Sequence, residues 1–553
     1  ILFNNRGALS PFSYGNLRSA GLNGYFNGRC TTAPVLSQCG GLAATPLAKV
    51  TGPNLVAFLA GDTSLYLSAT DPNNRVFRTR ASRLGDIVNA SPAYVGKPPF
   101  MYSDAGYASF VSAKSTRTKM VYAAANDGML HAFVVADDGT GGTELWAFVP
   151  TAVMPNLWQL ADAAFDSQHR YFVDATPVIG DVFDGTNWRT LLVGGLGGGG
   201  RSYYALDITD PAYPALLWEY NAAGSDANLG LTYGNPIITK NAAGTWVVAF
   251  TSGLNNNVAS GDGRGRLYVL NAVTGASITT LSTGVGDSAT PSNLSRIEGW
   301  VVSATNNVTQ RFYGGDMLGN LWRFDYDSQL TPVGQAVALG VAQAPGGEAQ
   351  PITSKPVLTE LAINGSRIPV IAFGTGRYLG LSDLTDNTLQ SIYAVKDSLA
   401  STGLGVLRSS GANLVKEQLG SNRLIASPAL VDWATTNGWY VDLDQSSGER
   451  SYLDGAPLAT GVLGFASTVP GSDVCLPGGT AYLYQFNLTT GTVATVAAFN
   501  TLLVGLGRII DPSGEISAVL TRQDQTLDKK LSSGGIGAIG GSVKRATWRE
   551  LTN

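Results

Sequence analysis

The sequence predicts an all-β protein, a β-propeller of about seven irregular blades with long inter-strand insertions, on three observations. The first is composition. Of 553 residues, 68 are Gly and 25 are Pro; 44% are hydrophobic and only 14% charged, well below the roughly 25% charge usual in soluble domains. No Gly-X-Y period occurs, which excludes collagen, and the low charge excludes charge-driven disorder. What remains is a chain of many turns. The second is a five-residue strand pattern of apolar, aromatic, any, apolar, polar. It reads Leu267-Tyr268-Val269-Leu270-Asn271, Leu321-Trp322-Arg323-Phe324-Asp325, Ile392-Tyr393-Ala394-Val395-Lys396 and Leu483-Tyr484-Gln485-Phe486-Asn487. Looser copies start at Tyr203 and Leu130. The third is order: each copy follows two other recurring elements in the same sequence.

Residues 1–82 do not carry the repeat and read as an N-terminal lead-in and cap segment, able to supply a strand, with a short helix at Asn54-Leu-Val-Ala-Phe-Leu-Ala. Within it Cys30 and Cys39 enclose eight residues rich in Thr, Ser, Pro and Gly. That spacing suits a disulfide worth about 2–3 kcal/mol by loop closure; two free thiols in a reducing compartment are the alternative. Cys475 is left over as a free thiol.

Residues 83–553 read as the propeller. Its first repeating element is a proline at a strand start, where a missing N–H is tolerated. It occurs at Ser91-Pro92-Ala93-Tyr94-Val95, Thr176-Pro177-Val178-Ile179, Asn235-Pro236-Ile237-Ile238, Lys355-Pro356-Val357-Leu358 and Ser427-Pro428-Ala429-Leu430, with a degenerate copy at Thr290-Pro291. The second is an apolar strand, in most copies running into glycine: Thr190-Leu-Leu-Val-Gly-Gly, Thr245-Trp-Val-Val-Ala-Phe, Arg311-Phe-Tyr-Gly-Gly and Pro369-Val-Ile-Ala-Phe-Gly. The aromatic strand is the third, its rings placed to pack between neighbouring sheets. Six proline sites and the Leu483 copy count to about seven blades, and Gly461 to Trp548 reads as the last blade and its closing strand. Small antiparallel sheets repeated around an axis leave only short protected edges. A tandem of β-sandwiches does not explain one ordered motif repeated through most of the chain.

Charge and length exclude several functions. The net charge is −4 and the pI about 5.4, with no Lys/Arg cluster long enough to follow a phosphate backbone, so nucleic acid is not an expected partner. No apolar run approaches the roughly 18 residues that span a bilayer, so no membrane span is expected. The first residues do not form a signal peptide; an exported protein gives such a start once its signal or an upstream region is removed. Three cysteines without Cys-x-x-Cys and two histidines argue against zinc.

Several stretches resemble one family. Arg83-Leu-Gly-Asp-Ile-Val-Asn-Ala-Ser-Pro-Ala-Tyr-Val-Gly96 resembles the opening signature of the C-terminal domain of the PilY (PilC/PilY) type IV pilus-tip proteins. In family order come Tyr122 to Phe133, ending Ala-Asn-Asp-Gly-Met-Leu-His-Ala-Phe, then His169-Arg-Tyr-Phe-Val-Asp-Ala-Thr-Pro and Leu192-Val-Gly-Gly-Leu-Gly-Gly-Gly-Gly. Ala205-Leu-Asp-Ile-Thr-Asp-Pro, Tyr313-Gly-Gly-Asp-Met-Leu-Gly-Asn-Leu-Trp-Arg-Phe-Asp, Gly374-Thr-Gly-Arg-Tyr-Leu and Thr547-Trp-Arg-Glu complete the set. The resemblance implies a non-enzymatic pilus-tip adhesin and pilus biogenesis factor, exported through the periplasm to the cell surface. It implies binding to minor pilins and to host-cell or abiotic surfaces, and control of pilus extension, retraction and twitching motility. The variable N-terminal region of that family, often von Willebrand A-like, has no counterpart in this sequence.

The resemblance also implies a place for calcium. Family members often carry a loop of alternating Asp and Asn before the Tyr-x-Gly-Asp strand, because a hard cation needs six to eight converging oxygens. Here Ser303, Thr305, Asn307 and Gln310 stand where acidic ligands would be, and only Asp316 comes after them as a carboxylate. The expectation is therefore a degenerate loop that needs no cofactor and binds Ca²⁺ weakly if at all. Gly195-Leu-Gly-Gly-Gly-Gly200 fits G-x-G-x-x-G, but the next residues, Arg201-Ser-Tyr-Tyr-Ala-Leu-Asp207, read as a strand. It is expected to be a hairpin and not a dinucleotide loop. His131 and His169 have no nucleophile motif beside them and read as packed or turn-bound; Asp127 reads as a turn residue bonding local backbone. No catalytic set is expected. The competing class is a quinoprotein-like propeller dehydrogenase, whose repeats also use aromatic-Leu-Asp strands, but no vicinal cysteine pair is present to support it.

Overall fold

The computed structural model describes residues 1–224, 226–301, 303–327, 334–363, 365–425, 427–471, 478–510, 516–524, 526–531 and 544–545. The strands group into seven small sheets. The first holds β1 (Leu2–Asn5), β2 (Ala8–Pro11), β3 (Ala93–Val95), β4 (Met120–Ala125), β5 (Met129–Val134) and β6 (Glu144–Val149), in the order β2-β1-β6-β5-β4-β3. The second is β7 (Val178–Phe183), β8 (Trp188–Gly195), β9 (Ser202–Asp207) and β10 (Ala215–Asn221). The third is β11 (Ile237–Lys240), β12 (Trp246–Thr251), β13 (Arg266–Asn271) and β14 (Ser277–Ser282). The fourth is β15 (Ile297–Val301), β16 (Thr309–Gly315), β17 (Asn320–Asp325) and β18 (Gln335–Val341). The fifth contains β19 (Val357–Ile363), β20 (Ser366–Gly374), β21 (Ser391–Lys396), β22 (Val415–Glu417) and β23 (Gly438–Asp442). The sixth is β24 (Ala456–Ala459), β25 (Val462–Pro470), β26 (Gly479–Asn487) and β27 (Val493–Phe499), and the seventh β28 (Leu503–Ile510), β29 (Ile516–Arg522) and β30 (Leu527–Leu531). A two-residue strand, β31 (Lys544–Arg545), pairs antiparallel with β19. The fold is a β-propeller of seven sheets, mostly four-stranded meanders.

All six copies of the aromatic pattern are third strands: β5, β9, β13, β17, β21 and β26. Their rings sit between sheets. Phe148 meets Tyr204 at 5.2 Å, Tyr203 meets Phe250 at 4.3 Å, and Trp439 meets Phe486 at 5.4 Å. First strands of neighbouring sheets lie against each other, β3 on β7, β7 on β11 and β15 on β19. Glycine in the second strand makes room for this packing. A Cβ on Gly194 would fall 2.3 Å from the Tyr204 ring.

The proline strands need two corrections. Pro92, Pro177, Pro236 and Pro356 do precede β3, β7, β11 and β19. Ser427-Pro428 does not open a sheet: it lies between β22 and β23, both in the fifth sheet, and Ala429 N–H is instead held by the Glu417 carboxylate. Thr290-Pro291 precedes β15 by several residues without forming a strand. The seventh sheet comes from 503–531, which carries no aromatic copy, so 461–548 holds more than the one blade expected of it.

The first residues join the propeller edge-on. β1 runs parallel to β6, with Leu2 opposite Phe148 and Phe3 opposite Val149, and the β1–β2 hairpin extends that sheet to six strands. The helix Gly52–Leu59 is capped by the Thr51 side chain and has Pro53 in its first turn, a favoured helix start. It buries Leu55, Phe58 and Leu59 in one core with Phe26, Leu157 and Leu160. Cys30 and Cys39 are disulfide-bonded, with Cα atoms 5.4 Å apart. Cys475 and Thr547 to Glu550 lie outside the described residues. No helix among the described residues is long and apolar enough to cross a membrane.

One insertion acts as a clasp. Residues 96–119, between β3 and β4, include the helix Tyr107–Ala113 and reach three other sheets. Tyr107 donates to Asp181 (2.8 Å), Lys240 pairs with Asp104 (2.5 Å), and Ser103 N–H donates to Thr305 O (2.7 Å). Tyr102 stacks near Trp188 (5.9 Å) and tilts against Trp246 (5.1 Å).

Candidate functional site

The hairpin between β4 and β5 is Asn126-Asp127-Gly128, with Gly128 at φ +92°, a left-handed conformation that suits glycine. Asp127 accepts from Met129 N–H (3.2 Å), the local bond expected of a turn residue. It also accepts from Gly85 N–H (2.9 Å) and faces His131 Nε2 (3.1 Å). Gly85 must be glycine here, since a Cβ would fall 2.3 Å from Asp127 N.

His131 is 5% exposed. Its other nitrogen, Nδ1, lies 2.8 Å from Glu144. Burial opposes the imidazolium, but the hydrogen bonds to Asp127 and Glu144 and their charges outweigh it and push the imidazole up to about 9. The His131 bond in turn lowers Glu144. With a carboxylate at each ring nitrogen, both nitrogens donate. The three residues form a strut, with Asp127 and His131 buried and Glu144 at the surface.

The same corner ties together four stretches far apart in sequence. Asn126 donates to Asp86 (3.0 Å) and accepts from Phe172 N–H (3.0 Å). Asp86 also meets His169 Nε2 at 3.0 Å. Burial works against its charge, yet these two partners hold the carboxyl below its usual range. Asn89 grips Asp174 through its own N–H (3.1 Å) and its side-chain amide (2.6 Å). Burial raises Asp174 despite those donors. Ser91 N–H donates to Thr176 (2.8 Å), and Asp174 N–H reaches Leu196 O (3.2 Å). The stretches beginning at Arg83, Tyr122, His169 and Leu192 are therefore parts of one knot between the first and second sheets. The last is a glycine-rich turn from β8 into β9, both strands; a Cβ on Gly199 would strike Phe172 O at 1.8 Å. A cavity of about 280 Å³ opens at this knot, lined by Arg78, Arg80 and Arg83 from one side and Asp127, Asp166 and His169 from the other.

The suggested calcium residues fall in two places. Ser303, Thr305 and Asn307 share the turn between β15 and β16. Ser303 and Thr305 hydroxyls bond each other (2.8 Å). Asn307, at φ +50°, donates to Ser303 O (2.9 Å) and to Tyr102 Oη (3.3 Å), and its carbonyl accepts from Thr239 (2.7 Å) and Lys240 N–H (3.0 Å). Gln310 lies in β16 and accepts from Arg311. Asp316 stands past the far end of β16, about 20 Å away at ~3.3 Å per residue. Its buried carboxylate is taken up by Ser292, Leu318 N–H, Asn320 and Trp322 Nε1 at 2.9–3.1 Å, and burial raises it above the usual range. The turn offers only neutral oxygens, and the carboxylate of Asp316 faces other donors; calcium sites usually supply several anionic oxygens. Among the described residues, no group of three or more His, Cys, Asp or Glu is placed to hold a metal.

Sequence reasoning missed Asp86, Asp174 and Glu144 as partners, and missed the arginines at the cavity. The run Arg78, Arg80, Arg83 is legible in the sequence; its convergence on a hairpin about forty residues later is not.

The pattern of the PilY1 beta-propeller domain family matches residues 84–426. A type IV pilus biogenesis factor PilY1 homolog of Xylella fastidiosa (strain Temecula1) is 32% identical over 509 residues, covering 86% of this chain and 39% of that protein. The type IV pilus biogenesis factor PilY1 of Pseudomonas aeruginosa (strain PAK) is 31% identical over 529 residues, covering 85% of this chain and 43% of that protein. This chain thus spans about two fifths of the length of those relatives. The crystal structure of the P. aeruginosa PilY1 C-terminal domain superposes with a TM-score of 0.63 at 24% identity, covering 80% of this chain and 99% of that one.

Proposed function

Because this chain belongs to the PilY1 family of type IV pilus biogenesis factors, we propose that it is a non-enzymatic component of the pilus tip that binds minor pilins and surfaces and so regulates pilus extension, retraction and twitching. The observation that carries this reading is the ordered set of stretches between 83 and 200 meeting in one knot. Family-ordered motifs that meet at one place support a role carried by that place more than the propeller alone does. The Cys30–Cys39 bridge supports export to an oxidising compartment, on the way to an extracellular position at the tip. A quinoprotein-like oxidation finds no support at the site: His131 and Asp127 are locked in a strut with Glu144.

The test is capture of the source organism's minor pilins by the purified chain, run beside twitching of a deletion strain complemented with the full-length protein. Retention of the pilins and restored twitching are the expected outcomes. Reconstitution with pyrroloquinoline quinone and Ca²⁺ should give no dye reduction; turnover there, without pilin capture, would reverse the reading.

A further inference from the structure

Two arginines at the knot cavity stand apart from its acids. Each acid on its wall already has a basic partner: Asp166 has Arg78 (2.6 Å), Asp86 has His169 (3.0 Å), and Asp127 has His131 (3.1 Å), whose other nitrogen bonds Glu144. Two arginines remain. Arg80 donates only to neutral oxygens, Tyr66 Oη (3.2 Å) and Phe58 O (2.6 Å), with its guanidinium over the Phe58 ring at 4.3 Å. Arg83 is exposed, runs its stem past Gly61, and meets no carboxylate among the described residues. Two unmatched guanidiniums at one concave place stand out on a chain of net charge −4.

A guanidinium offers a planar fork that matches a carboxylate. The cavity volume, about 280 Å³, is at the small end for ligand sites and takes one side chain rather than a folded element. Leu84, on its lining, is 39% exposed, and Ile87 and Val88, next after Asp86 in the chain, are 40% and 52% exposed. We propose that this cavity binds an acidic side chain of a partner polypeptide, the carboxylate between Arg80 and Arg83 and the flanking apolar residues on Leu84, Ile87 and Val88. Three exposed apolar side chains along this segment favour a polypeptide over a small free carboxylate, which has nothing to lay on them.

The experiment is fluorescence anisotropy with the full chain and two labelled peptides, acetyl-Gly-Leu-Glu-Leu-Gly-amide and its Gln counterpart. The Glu peptide should bind at least tenfold more tightly, and its binding should weaken from low to physiological ionic strength. Arg83→Gln removes an exposed side chain with no hydrogen bond or ion pair among the described residues, so its fold is expected to be intact; it should weaken the Glu peptide at least fivefold. Arg83→Glu should abolish the preference for Glu over Gln, and Arg18→Gln, elsewhere on the surface, should change nothing. Equal affinity for the two peptides, or full affinity in both Arg83 variants, overturns the proposal. Displacement of the peptide by succinate at equal concentration overturns the polypeptide assignment.

Discussion

His131 gives the chain a pH dependence whose sign is set by its partners. Its imidazole titrates at about 9 in the folded protein, against about 6.5 in an unfolded chain. A raised pKa adds stability that is fully present below 6.5 and is lost as pH rises through 9, up to about 3 kcal/mol over that window. Thermal unfolding followed by circular dichroism should show Tm falling between pH 7 and 9.5. His131→Gln should lower Tm at pH 6 and flatten that slope. Little of this was legible beforehand. The spacing Asp127 to His131 placed both at one end of β5, but Glu144 reaches the ring only through pairing of β5 with β6. A packed histidine could be expected; a charged one needed the third residue.

At the scale of elements, the clasp and the β15–β16 turn bond each other through Tyr102–Asn307 and Ser103–Thr305, and their stability should be linked. Tyr102 is 9% exposed and touches Trp188, Trp246 and Asn307. Tyr102→Ala should cost about 3–5 kcal/mol, measured by urea denaturation, and should raise hydrogen exchange at Asn307 and Val308. Asp316→Ala strands the donors of Ser292, Asn320 and Trp322 and should cost about 3 kcal/mol or more. We expect that loss to be the same in Ca²⁺ and in chelator, with wild-type Tm shifting by under about 1 °C on adding Ca²⁺; a mass-action shift of several degrees would instead mean a site filled well above its Kd. The strand motifs were legible because period-two alternation and turn residues are local. The clasp was not. Its residues 96–119 read as an insertion, and the contacts of an insertion are decided by tertiary packing, which no local pattern reports.

Over the whole molecule, sheets are joined by buried charge as well as by rings. Arg323 of the fourth sheet is fully buried, 2.8 Å from Asp325 of its own strand and 2.8 Å from Asp397, the residue just after β21 of the fifth sheet. Arg323→Ala leaves two buried carboxylates short of their cation and should cost about 3–5 kcal/mol. A chain with Arg323→Met, Asp325→Leu and Asp397→Leu together should recover much of it. The count of seven sheets was reached from the repeat, yet one of its supports, Ser427-Pro428, belongs to a loop. The strands of the seventh sheet, β28 to β30, carry no aromatic or proline signal, so the motif that revealed six could not reveal it. The pocket arginines were legible as charges and not as a site, because their cavity needs the lead-in segment and the first sheet together.

The parallel pairing of β1 with β6 sets a schedule. Leu2 and Phe148 are partners, so the residues of β1 cannot take their places until the strand ending at Val149 exists. At translation rates of 5–20 residues per second, that interval is about 7–30 s. Through it the first dozen residues and the apolar faces of the lead-in have no sheet to rest on. They are exposed to proteases and to binding by other nascent chains. A substitution that slows elongation between residues 60 and 149 would lengthen this exposure without altering a single contact of the finished fold. Its mark would be a lower yield of intact chain, with the Tm of the surviving protein unchanged.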